Sequence, residues 1–142
     1  MTMDQDRLHQ LTMQALDAAF NRNAEAAASA LTEIGETGGD SSIYGACCAF
    51  AEVGRAALAK FYGDATPDPA RGEMWAMQQL GDSADPHDLF AVRFIVAYAN
   101  QDQDLSMALF NASIEAGGNA HVDSVCALLG TAVQLANSAT AQ

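Results

Sequence analysis

The sequence predicts an all-α protein, and three observations carry that prediction. Apolar residues recur at helical spacing through most of the chain, alanine supplies about a fifth of it, and alternating β-branched runs are missing. Half of the residues are hydrophobic, well above the range of disordered chains. A chain of 142 residues can bury a core without disulfide or metal staples. The expected architecture is a single helical domain over 1–142, a compact bundle of about seven helices.

The elements follow in order. Leu8, Leu11, Ala15, Leu16, Ala19 and Phe20 form one stripe and predict a helix over 5–21. Asn23 is a natural cap for an alanine-rich helix to about residue 35. Gly38-Gly39 supplies the backbone freedom for a reversal, and Asp40 or Ser41 caps the next helix. That helix, 42–62, carries Ile43, Cys47, Phe50, Val53, Ala57 and Phe61, and is apolar nearly all round. The linker Asp64 to Pro69 leads into a short helix over 69–80, opened by Pro69. Helices over 86–100, 103–116 and 120–137 complete the set, with Gly117-Gly118 at the last turn.

The second half repeats the first at an offset of about 79 residues. Gly38-Gly39-Asp40 falls on Gly117-Gly118-Asn119, and Leu11, Leu16, Ile43, Cys47 and Phe50 fall on Phe90, Ile95, Val122, Cys126 and Leu129. Two three-helix units, 5–62 and 86–137, are therefore expected, joined by the connecting helix 69–80. The pattern resembles that of helical-pair repeats, without the tetratricopeptide signature Trp-x-x-Leu-Gly-x-x-Tyr. Two units are too few for an open solenoid, which favours a closed bundle.

Charge narrows the function classes. Eighteen acidic residues against six basic ones give a net charge of -12, and no Lys or Arg follows Arg93. Such a surface repels nucleic acid and anionic membranes, and suits a basic protein partner. The start is acidic and no stretch of about 20 apolar residues occurs, so neither a signal peptide nor a membrane span is expected. Three cysteines, two of them adjacent, fit a reducing cytoplasm better than a disulfide framework.

Candidate chemistry is sparse. Asp85-Pro86-His87-Asp88 places a His between carboxylates, as a base or metal ligand would need, yet it reads more simply as a capped helix start. Cys47 and Cys126 match across the repeat and read as core residues, with Cys48 the thiol expected at the surface. Glu52 and Arg55 are spaced to pair within one helix. No metal-ligand spacing, phosphate loop or nucleophile elbow is present, so no metal or cofactor is expected and no catalytic residue is assigned.

Met74, Trp75 and Met77 crowd one short helix, more large apolar groups than one seam covers, and are the expected partner-binding residues. The leading functional expectation is a non-enzymatic acidic adaptor or regulatory protein, of inhibitor or immunity type, working through protein contacts or as a homodimer. The alternative is a small-molecule-binding domain, or an enzyme, with a pocket expected between the two repeat units and lined by Phe50, Trp75, Phe90, Phe94 and Tyr98. The direction of Trp75 separates the two: outward for a partner, inward beside a cavity for a ligand.

Overall fold

The computed structural model describes residues 3–75, 85–117 and 119–140. Among these the chain forms five α-helices and no strand. They are α1 (Gln5–Phe20), α2 (Ala24–Tyr62), α3 (Pro86–Ala99), α4 (Gln103–Glu115) and α5 (Ala120–Thr140). Two 3₁₀ turns, Gly63–Ala65 and Pro69–Arg71, follow α2.

The all-helical class stands, and two expected elements change. The reversal at Gly38-Gly39 is a break of one residue: Gly39 alone leaves helical geometry, at φ 73° and ψ -167°, and helix resumes at once. Gly38 has a different role, since a Cβ there would collide with Ser42 and lie 3.0 Å from the Met3 side chain. The helix expected over 69–80 begins as predicted at Pro69 but stops after one 3₁₀ turn. Gly72 turns left-handed at φ 74°, its N–H bonds to the Pro69 carbonyl, and the Glu73 N–H reaches the Asp68 carbonyl. That pair of bonds is a Schellman stop, and it outweighs the apolar pattern downstream. The rest of the predicted helix, Met77 included, lies outside the described residues.

The chain divides into two compact units, Met1–Phe50 and Ala51–Gln142. In the first, Leu11, Ala15 and Leu16 of α1 are buried, as are Ala27, Leu31 and Ile34 and then Ile43, Ala46, Cys47 and Phe50 of α2. Arg7 pairs with Glu33 across this unit. In the second, α3 packs along both α4 and α5 and buries residues on every face, among them Phe90, Ala91, Val92, Phe94 and Ile95. Such a helix is the spine of its unit. Gly54 lets the end of α2 approach it, because an added Cβ would sit 3.1 Å from Ile95.

Two turns match bond for bond at the 79-residue offset. After α1, Asn23 N–H bonds to the Ala18 carbonyl and Arg22 N–H to Ala19; after α3, Asp102 N–H bonds to Ala97 and Gln101 N–H to Tyr98. Among the described residues, Arg22 and Gln101 are the non-glycine residues with positive φ, at 59° and 61°. The following caps match as well, Asn23 Oδ1 accepting from Ala26 N–H and Asp102 Oδ1 from Leu105 N–H. Agreement weakens further along. Ile43 is buried where Val122 is 58% exposed, and Cys47 is buried where Cys126 is exposed.

Candidate functional site

The Asp85 to Asp88 cluster is a helix cap. Asp85 Oδ1 accepts from the N–H groups of His87 (2.8 Å) and Asp88 (3.3 Å), Pro86 is the first helical residue, and Asp88 faces the positive end of the dipole. The cap also aims His87 across to α5. Its Nδ1 lies 3.1 Å from Ser124 Oγ, and its Nε2 lies 3.9 Å from an Asp123 carboxylate oxygen. A second imidazole repeats the arrangement, His121 Nδ1 lying 2.9 Å from Ser113 Oγ. Ser113 Oγ donates to the Phe110 carbonyl at 2.6 Å, so its oxygen accepts from His121 and the His121 proton sits on Nδ1.

Between these two pairs, α3, α4 and α5 enclose an open pocket of about 250 Å³. From α3 come Pro86, His87, Phe90 and Arg93; from α4, Leu109, Ala112, Ser113 and Ala116; from α5, Ala120 and Ser124. The lining is mainly apolar, with four polar side chains spaced around it. Leu105, 45% exposed, extends the α4 stripe of Leu109, Ala112 and Ala116.

The positions 79 residues earlier hold a different set. Leu8, Ile34 and Gly45 stand where the pocket has His87, Ser113 and Ser124, and Leu8 lies within 3.6 Å of a Cβ built on Gly45, the counterpart of the His87–Ser124 contact. Arg7 and Glu33, which pair with each other, correspond to Pro86 and Ala112. Ile34 is fully buried. These positions of the first unit thus hold an ion pair and apolar residues in close contact.

The other expected site residues scatter. Trp75 is 7% exposed, edge-on to Tyr62, and Asn100 clamps its peptide: Asn100 Oδ1 accepts from Trp75 N–H at 2.7 Å, and Asn100 Nδ2 donates to the Trp75 carbonyl at 3.0 Å. Met74 is 65% exposed. Phe50 and Phe94 are fully buried, and Phe90 is the member of the expected aromatic set that lines the pocket on α3–α5. Tyr98 donates from its hydroxyl to Glu52 Oε1 at 3.0 Å, joining the Glu52–Arg55 pair. The Arg55 hydrogen bonds hold the Glu52 carboxyl below the usual range, partial burial opposes them, and Tyr98 adds to them.

Cys126 is the exposed thiol and Cys48 is half-buried, the reverse of what the sequence suggested, because the buried stripe of α5 runs through Ser124, Val125, Leu128 and Leu129 and leaves Cys126 on another face. Among the described residues no three His, Cys, Asp or Glu side chains gather as metal ligands would, and no helix is long and apolar enough to cross a membrane. Compared with protein-family models, curated proteins and solved structures, the chain has no match. Function therefore rests on the site alone.

Proposed function

We propose that the protein is a helical small-molecule-binding domain whose ligand sits in the pocket formed by α3, α4 and α5. The observation that carries this reading is the contrast between corresponding positions. Where the first unit has Leu8, Ile34, Gly45 and the Arg7–Glu33 pair, the second has His87, Ser113, Ser124, Pro86 and Ala112. On this reading the chain is built from two copies of one helical unit, one sealed for stability and one opened for binding. An apolar floor with a few convergent polar groups is the usual make-up of a ligand site. Trp75 does not line this pocket, but its burial weighs against the rival reading by withdrawing the strongest anchor from a partner surface.

A second reading keeps the acidic adaptor or regulatory protein, with a basic partner or a second copy of the chain. It is favoured by Met74, exposed at 65% beside the linker, and by the net charge of -12. Free thiols at Cys47, Cys48 and Cys126 suit a reducing compartment such as the cytoplasm under either reading.

Native mass spectrometry of gently purified protein decides between them. A co-purifying small molecule that is lost in Ala112→Phe, which lays a ring across the pocket, supports the first reading. A protein partner or dimer lost in Met74→Ser, with no small molecule bound, overturns it in favour of the second.

A further inference from the structure

The pocket's size and charge narrow the kind of ligand it takes. An apolar cavity of about 150 Å³ accommodates a benzene ring, and pockets for drug-sized ligands begin at about 300 Å³. This pocket is open to solvent, so its volume of about 250 Å³ sets the size of the part it covers: one ring, or a short chain, with one small polar group. Phe90, Leu109, Ala116 and Ala120 offer surface for the apolar part.

The charged groups are unevenly placed. Arg93 lines the pocket, is exposed, and, like Arg22 and Lys60, has no ion-pair partner among the described residues, whereas Arg7, Arg55 and Arg71 are each paired with a carboxylate. Pro86 lies seven residues earlier on α3, about 10 Å along the helix at 1.5 Å per residue. At that end sit His87, the Asp123 carboxylate 3.9 Å from it, and the Asp85 cap. An anion is repelled from the Asp123 end and attracted to the Arg93 end. Guanidinium recognises carboxylate with two parallel hydrogen bonds, stronger than those between neutral groups.

Building on the pocket reading above, we propose that the ligand is a small monocarboxylate with an apolar body of one ring or a short chain. Its carboxylate pairs with Arg93, and its body lies over Phe90 toward Ala120. At position 14, the counterpart of Arg93 in the first unit, stands the neutral Gln14. The cation therefore belongs to the open copy alone.

The test is a titration of the full chain with 3-phenylpropanoate and with its neutral amide, followed by amide NMR shifts at Phe90, Ala112 and Ser124. The carboxylate should bind saturably and at least about tenfold tighter than the amide, in line with a charge-assisted pair at a solvent-exposed site. Arg93→Gln, at an exposed position, should bring the carboxylate down to the level of the amide, and circular dichroism checks its fold. Equal binding of the two compounds, or carboxylate affinity unchanged in Arg93→Gln, overturns the ligand class. So does the failure of both compounds to move these residues at millimolar concentration. Ala112→Phe should abolish binding of either compound. Binding that survives it overturns the pocket reading itself, whatever the ligand's charge.

Discussion

Cys126 is the first residue an alkylating reagent should reach. It is exposed, while Cys48 is half-buried and Cys47 is fully buried. All three thiols are pushed above the ordinary range, Cys47 furthest, by burial and then by its neighbour Cys48. For Cys126 partial burial comes first and the Asp123 charge adds to it. The thiolate is the reacting form, so labelling should be slow at neutral pH and quicken as pH rises past the usual thiol range. The expected order is Cys126, then Cys48, with Cys47 labelled only on unfolding; mass spectrometry of timed iodoacetamide reactions reads it directly. Native Cys47 labelling at the rate of Cys126 would show that the α2 seam opens. Phe50 is fully buried, and Phe50→Ala should cost about 3–5 kcal/mol through lost contacts and a residual cavity. A urea midpoint unchanged in this variant would mean the surrounding helix collapses freely around the gap.

At the scale of elements, the two matched turns make the most specific statement. Arg22 and Gln101 hold left-handed backbone that costs an L-residue about 1–2 kcal/mol. Glycine removes that cost and adds about 0.5–1 kcal/mol of unfolded-state freedom. Arg22→Gly and Gln101→Gly should therefore each stabilise the protein by about 0.5–1 kcal/mol, and by similar amounts. Chemical denaturation measures both. A gain at one turn and a loss at the other would show that a side chain, rather than the shared backbone geometry, holds the turn. The cap before α3 is the opposite case. Asp85 satisfies two N–H groups, so Asp85→Ala should lower stability by about 1 kcal/mol. An unchanged melting temperature would mean water replaces the carboxylate there.

For the whole molecule, the balance of charge decides which partners are excluded. With a net charge of -12 and no Lys or Arg beyond Arg93, duplex or single-stranded nucleic acid should not bind. A gel-shift assay at low salt, where electrostatic attraction is strongest, is the severest check, and saturable retardation would overturn the expectation. The same charge makes Arg93 conspicuous. In so acidic a chain, a pocket-lining cation with no carboxylate partner among the described residues is well placed to receive one from a ligand.

How much was legible in the sequence follows from the range of the forces involved. Helical periodicity, the caps at Asn23 and Asp85, and the Pro69 start are set by residues within a turn or two of one another, and the structure keeps them. Agreement at the 79-residue offset is confined to the turns after α1 and α3, whose chemistry is local, and it fails in burial at Ile43 against Val122 and at Cys47 against Cys126. The extent of the helix after Pro69 was misjudged, since Asp68, Gly72 and Glu73 close a Schellman stop that apolar spacing does not reveal. The inward setting of Trp75 was hidden for another reason: its peptide is clamped by Asn100, 25 residues away. The pocket lay furthest from view. Its signal was present in the sequence, as Leu8, Ile34 and Gly45 giving way to His87, Ser113 and Ser124. Only tertiary packing brings those three positions from α3, α4 and α5 to one place, because side-chain convergence depends on helix crossings that no single helix encodes.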